Sequence, residues 1–243
     1  MFYNYFRITL IRFCSFFYFR KRSKVIFYHD LHFDNAYTNM STPISLFKLH
    51  VEIIRKRGYE IVSKITKKHG QIEISFDDGF LGLYDNINTI IELRVPIKIF
   101  IVTSCIGKDN YINESQLLSL NSNPLVSIGS HTDLHSDLTT YRNVNMLEEL
   151  EKSKLILESI LGSSIDSLAF PYGRFNNSVI KNATSVGYKL QYCSLPGFYH
   201  DEFTTNVKKR SLVQFSNKQE FKAILNGGDH LLYFWYFIKH YRL

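Results

Sequence analysis

Gln71-Ile72-Glu73-Ile74-Ser75-Phe76-Asp77-Asp78-Gly79 is the stretch that decides how this 243-residue chain is read. Ile72, Ile74 and Phe76 alternate with Gln71, Glu73 and Ser75, the two-residue period of a β-strand. Two carboxylates follow at its C-terminal end, where open α/β sheets and barrels place their sites. Neighbouring strand residues point to opposite faces, so Asp77 and Asp78 can share a centre only where the strand is ending. Gly79, tolerant of backbone angles other residues avoid, supplies that ending. Alone, Asp-Asp-Gly is a common turn, because Asp bonds its own backbone and Gly accepts positive φ. The preceding alternation argues for more than a turn.

Further along, Leu125-Val126-Ser127-Ile128-Gly129-Ser130 reads as a second short strand, ending at His131, with His135 four residues on. A catalytic zinc-type site takes three ligands from His, Asp or Glu and leaves a position open for water. One Asp and the two His meet that count, and the second Asp is left to take a proton from the water. The pattern therefore points to a metal-dependent hydrolase. A histidine pair at this spacing also fits a solvated helix face, but a shared rim with the Asp pair explains both features. Two His and one carboxylate also make the facial triad of iron oxygenases. That triad needs no second carboxylate beside the ligand, and its usual β-sandwich does not match the alternation seen here.

Strand-like and helix-like segments alternate along the chain. Strands are expected at Val25–Tyr28, up to Phe76, at Ile97–Val102, up to Ser130, and at Ser167–Phe170, Tyr188–Cys193 and Arg210–Gln214. Helices are expected at Pro43–Arg57, stopped by Gly58, and at Leu83–Leu93, Glu114–Leu120, Val144–Leu161, closed by Gly162, Ser178–Val186 and Lys218–Leu225. Such alternation means a mainly parallel α/β sheet covered by helices. Six or seven strands in one domain suit a barrel-like closure, with an open doubly wound sheet as the other solution. There is no internal repeat, low-complexity run or long linker.

With 45% hydrophobic residues the chain can bury one sizeable core. Cys14, Cys105 and Cys193 are too few and too scattered for a disulfide framework or a thiolate metal site. The net charge of +7 comes with dispersed basic clusters and no recognition motif, which reads as solvated faces and not as nucleic-acid binding. Residues 2–19 are rich in Phe, Tyr and Ile, but Arg7 and Arg12 interrupt them and no small-residue cleavage site follows, against both a cleavable signal peptide and a full membrane span. Residues 1–22 are set apart as a segment suited to a membrane interface or to a helix packed on the domain. Residues 23–230 form the presumed catalytic domain, and 231–243 an aromatic tail of similarly ambiguous role. A cell-envelope or membrane-associated location is favoured, and the oligomeric state is open.

Ser75-Phe76-Asp77-Asp78-Gly79, Ser130-His131-Thr132-Asp133-Leu134-His135 and Ala169-Phe170-Pro171-Tyr172-Gly173 resemble, in order, the first three motifs of the polysaccharide deacetylases, the NodB-homology or carbohydrate esterase family 4 group. The resemblance spans roughly Val25 to Val213. It implies an incomplete (β/α) barrel of about seven strands that removes N-acetyl groups from amino sugars in a polymer. It further implies one divalent metal, zinc by preference with cobalt or nickel as alternatives, held by Asp78, His131 and His135, with Asp77 as general base. Tyr172 falls where a backbone amide of the family stabilises the oxyanion; Pro171 shapes that loop, and Phe170 and Tyr172 are placed along the sugar groove.

Two departures from the family pattern stand out. Ala169 occupies the position of an Arg that orients the base, with Arg174 as a candidate substitute. The late Leu-x-x-His motif is missing, since Arg210-Ser211-Leu212-Val213-Gln214 lacks the histidine. Val25-Ile26-Phe27-Tyr28-His29-Asp30 supplies one elsewhere and resembles the permuted arrangement of the biofilm poly-N-acetylglucosamine deacetylases. His29 would then be the general acid. Residues 33–40 are expected to loop over the groove, Asp133 either supports the histidines or is solvated, and Asp166 and Leu195-Pro196-Gly197 serve the fold. The alternative to an enzyme is a carbohydrate-binding relic on the same scaffold, although a relic has no need of both base and ligands.

Overall fold

A computed structural model describes residues 2–17, 21–201 and 207–241. Its strands are β1 (Lys24–Tyr28), β2 (Asp30–His32), β3 (Ser41–Pro43), β4 (Glu60–Ile61), β5 (Gln71–Phe76), β6 (Ile97–Ile101), β7 (Val126–Ser130), β8 (Ser167–Ala169), β9 (Leu190–Tyr192), β10 (Val207–Lys208) and β11 (Arg210–Leu212). The helices are α1 (Phe2–Cys14), α2 (Ile44–Lys56), α3 (Leu81–Asp85), α4 (Ile87–Glu92), α5 (Glu114–Asn121), α6 (Asn143–Leu161), α7 (Asn177–Ser185), α8 (Lys218–Leu225) and α9 (Tyr233–His240).

Nine strands form one sheet in the order β10-β9-β8-β7-β6-β5-β1-β11, with β4 added beside β5. All of its ladders are parallel, as the helical crossovers require. β10 pairs with β9 at one edge and β11 with β1 at the other, and only Lys209 separates them. The last strand thus bridges both edges and closes a barrel of seven principal strands, so the barrel and not the open sheet is realised.

Strand alternation sorts the side chains. Ile72, Ile74 and Phe76 of β5 join the main core beneath the helices, together with Ile26, Tyr28, Ile97, Ile99 and Ile101. The intervening positions face the lumen, where Val25, Phe100, Ala169 and Tyr192 make a second apolar cluster. Glu73 and Lys98 are buried with them; Tyr192 donates to Glu73 at 2.8 Å and Lys98 donates to Tyr192 at 3.0 Å.

The expected helix, loop and terminal segments take definite form. The helix anticipated at Leu83–Leu93 is two short helices broken at Asn86, whose side-chain amide donates to the carbonyls of Gly82 at 2.8 Å and Leu31 at 3.3 Å, competing with the helical ladder. The segment 33–40 is a loop, flanked by the parallel pair β2 and β3. Residues 231–241 are no detached tail: Leu232, Tyr233, Tyr236, Phe237 and Tyr241 pack against the main core. At the other end α1 packs on the domain through buried Ile11 and an ion pair from Arg7 to Glu220. Residues 18–20 and 242–243 of the two terminal segments lie outside the described residues.

Candidate active site

β5 stops at Phe76, and Asp77 still donates its backbone N–H to the Tyr28 carbonyl at 3.0 Å. Asp78 then turns the chain itself, at φ 74°, and Gly79 follows at φ 80° with Ile101 where a Cβ would stand. Adjacent carboxylates reach one centre because Asp78, and not Gly79 alone, leaves the strand conformation. Left-handed backbone recurs at Thr132, His135 and Tyr172 on the same rim. Such clustering of unfavourable φ values is characteristic of functional sites.

β7 ends one residue before His131, and the Asp78, His131 and His135 donor atoms lie within 4.8 Å of one another. The Nε2 atoms of both histidines stand 3.4 Å from Asp78 Oδ1. That oxygen is buried with no hydrogen-bond partner, the state in which a carboxylate oxygen is most costly to leave. His131 Nδ1 donates to the Ala169 carbonyl at 2.8 Å, which leaves Nε2 as the free lone pair facing Asp78. Burial and the neighbouring His131 hold the pKa of His135 down to about 4, so it is a neutral donor. One buried oxygen and two imidazole nitrogens suit a divalent cation.

Asp77 is buried beside this cluster, 4.0 Å from His131 Nε2. Arg210 closes on it with two bonds, Nη1 to Oδ1 at 2.6 Å and Nη2 to Oδ2 at 2.8 Å, and Nη1 also reaches Ser75 Oγ at 3.2 Å. Burial raises the Asp77 pKa, and its neighbours, the Arg210 guanidinium first among them, more than reverse that, leaving it below the ordinary value. The missing guanidinium is therefore supplied from β11. Arg174, the candidate from sequence, instead bonds Asp137 at 2.7 Å at the surface.

His29 follows β1, whose Tyr28 pairs with Phe76, so the register sets His29 level with Asp77 on the adjacent strand. Its Nδ1 lies 2.6 Å from Gln214 Oε1; an Nδ1–H donated there turns Nε2 away from Gln214. Arg210 and Gln214 both went unnoticed as site residues in the sequence. In a strand running from Arg210 to Gln214, as the sequence pattern suggests, a separation of four puts them on one face, the signal that could have found them. β11 nevertheless ends at Leu212, and Gln214 stands in the turn after it.

The third motif forms a short turn, Pro171–Gly173. Tyr172 is 54% exposed with φ 57°, and its ring lies 4.7 Å from that of His135. Pro171 is buried in the turn. Phe170 does not wall a groove: it is wholly buried and stacks on Phe175 at 5.5 Å, because it continues the phase of Leu168, which packs into the main core beneath the helices. Asp133 supports the loop between the histidines, accepting from Thr103 at 2.6 Å and pairing with Lys152 at 2.6 Å. His240, at the end of α9, bonds the Tyr172 carbonyl at 2.7 Å.

Comparisons with known proteins agree with this geometry. A poly-β-1,6-N-acetyl-D-glucosamine N-deacetylase of Staphylococcus aureus is 25% identical over 259 residues, covering 96% of this chain and 81% of the relative. The Bacillus subtilis protein YxkH, named for the polysaccharide deacetylases, is 23% identical over 184 residues; the alignment covers 71% of this chain and 64% of YxkH, less than two thirds of its length. IcaB from Ammonifex degensii has the same fold, with a TM-score of 0.74 at 17% identity over 86% of this chain and 98% of that one. The sequence model of the polysaccharide deacetylases matches residues 64–191, more than half of the chain and both the Asp pair and the His pair, and the chain belongs to that family.

Proposed function

We propose that this protein is a metal-dependent hydrolase that removes N-acetyl groups from amino sugars of the N-acetylglucosamine type in a bacterial surface or extracellular polysaccharide. The observation that carries this is the buried, unpartnered Asp78 oxygen facing two imidazole nitrogens, beside an Asp77 held by an arginine. The named substrate of the staphylococcal relative supports the glycan class.

Asp78, His131 and His135 would hold the ion, zinc by preference and cobalt or nickel as alternatives. Such an ion supplies Lewis acidity, lowering the pKa of a water and polarising the acetyl carbonyl. Asp77 takes the proton from the attacking water; the Arg210 fork keeps its carboxylate ionised and in one orientation. The backbone amide of Tyr172 donates to the developing oxyanion, and its exposed ring flanks the sugar. His29, oriented by Gln214, gives a proton from Nε2 to the leaving amine nitrogen as the C–N bond breaks. A carbohydrate-binding relic would have no use for a guanidinium forked onto Asp77 in the barrel lumen.

Acetate release from a panel of N-acetylated oligosaccharides, with chelator and with zinc, cobalt or nickel restored, tests the reading. Asp77→Asn should lower release by about 10²- to 10⁴-fold, the usual range for a general base, while metal content holds. Unchanged turnover would remove Asp77 from the mechanism, and binding without release from any glycan would favour the relic.

A further inference from the structure

The two ends of the chain differ from everything between them. Residues 1–22 carry five Lys or Arg and residues 230–243 carry two, with no Asp or Glu in either; 22 basic and 22 acidic residues remain in between. The whole formal charge of +7 thus belongs to these two segments. They also hold 15 of the 37 Phe, Tyr and Trp residues.

The fold brings their helices together. The Ile11 carbonyl of α1 stands 2.1 Å from where a Cβ on Gly228 would be, so only glycine lets α1 sit against the turn that leads into α9. Arg7 and Ile11 share a small cavity with Leu232 and Tyr236. Both helices spend their inner rows on the domain, α1 through Ile11 and α9 through Tyr233, Tyr236 and Phe237. The outer row of α9 is apolar as well, and the end of α1 with the turn that follows it adds further exposed rings. Phe13, Phe16, Phe17, Phe234, Trp235 and Ile238 are between 51 and 81% exposed. A helix apolar on every side is normally buried, and large exposed apolar patches mark interaction surfaces.

The chemistry of this flank selects its occupant. Aromatic rings with Lys and Arg among them, free of acidic residues, match the headgroup region of a bilayer bearing anionic lipid. Lys239 lies 5.5 Å from the Trp235 ring, a cation beside an interfacial aromatic. A second copy docked symmetrically would set the exposed Arg12 and Lys239 of one flank against those of the other. No described helix is long and apolar enough to cross a membrane. We propose that the outer faces of α1 and α9 seat the protein in the interface of an anionic bilayer, without spanning it. Because α9 ends at the Tyr172 carbonyl, the seated flank adjoins the mouth of the barrel.

Trp235 is the one tryptophan of the chain and reports on this surface without labelling. The full chain is mixed with vesicles of phosphatidylcholine alone or with added phosphatidylglycerol. With the anionic vesicles, Trp235 emission should shift to the blue and be quenched by lipids brominated near the headgroup, and the protein should cosediment. Raised salt and neutral vesicles should weaken binding. Phe234→Ser with Ile238→Ser should cut cosedimentation at least tenfold while acetate release from a soluble oligosaccharide is kept. If that variant fails to fold, Phe16→Ser with Phe17→Ser, beyond the end of α1, should do the same. Unmoved emission with anionic vesicles overturns the proposal. So does a dimer dissolved by the same substitutions, or a shift seen only with N-acetylated oligosaccharide.

Discussion

Arg210 and Lys24 lie on neighbouring strands, Arg210 paired with Val25 and Lys24 one residue earlier, and both are wholly buried. Each closes on both oxygens of one aspartate, at 2.6 and 2.8 Å. They face opposite sides of the barrel wall. Arg210 points into the lumen, over the rings of Phe27 and Phe100 at 4.4 and 5.2 Å, and grips Asp77. Lys24 points outward under α8, where it also donates to the Ile224 carbonyl at 3.1 Å, and Asp229 accepts from Ser211 as well. Burial lowers the Lys24 pKa against the opposing pull of Asp229. A planar fork fixes the orientation of a carboxylate, whereas an ammonium chiefly neutralises it. The first pair is suited to positioning a reacting group and the second to holding α8 and the following turn against the barrel.

Removing the two cations should break this parallel in different ways. Arg210→Met has the larger effect, because it leaves Asp77 both unoriented and buried without its partner, a loss of about 3–5 kcal/mol in stability. Turnover of the molecules that remain folded should fall at least about 10²-fold, the low end of a general base's contribution. Arg210→Lys should recover stability better than turnover, since one ammonium cannot reproduce two parallel bonds. Lys24→Met should cost a similar 3–5 kcal/mol in denaturant unfolding. Its acetate release per folded molecule should be unchanged. Equal losses of turnover in both variants would mean that Arg210 is only another structural pair.

Asp30 sharpens the contrast, as a buried carboxylate with no cation paired to it among the described residues. Burial lifts its pKa from 3.8 to about 6, outweighing the opposing pull of the Leu31 and Leu83 amides and the Ser41 hydroxyl. The folded state therefore keeps a proton that the unfolded state has released between those values, so stability falls as pH rises from 3.8 through 6. Asp30→Asn should remove that dependence and stabilise the protein at neutral pH by up to about 3 kcal/mol. Identical unfolding profiles across pH 4–7 in variant and parent would show that Asp30 does not hold its proton in the folded state.

The strand pattern and the two acidic and two imidazole residues were legible because period-two alternation and motif order are local properties. The supports were not. Whether Arg210 meets Asp77 depends on a strand from one end of the chain closing against β1, a register no local window contains. Ala169 and Gln214 read as losses only while each family position is inspected in its own motif. In the folded barrel the guanidinium arrives from another strand, and an amide oxygen meets His29. The same limit applies to α9. Its sequence shows an aromatic tail, but not that a helix there ends under the third motif.

That last contact gives the smallest of these effects. His240 donates from Nδ1 to the Tyr172 carbonyl at 2.7 Å, and its own carbonyl accepts from the Phe175 amide at 3.0 Å, so the end of α9 straps both sides of the turn. The strap matters because Tyr172 is held at φ 57°, which a bulky residue leaves readily once released. His240→Ala removes one hydrogen bond, about 1 kcal/mol. If the Tyr172 amide serves the oxyanion, that should appear as a fall of several-fold in kcat with little change in KM, since the loss falls on the transition state. Asn places a side-chain amide at nearly the same position as His Nδ1, so His240→Asn should restore kcat. A drop in thermal stability with kcat intact would make α9 a buttress of the fold and leave the turn to hold itself.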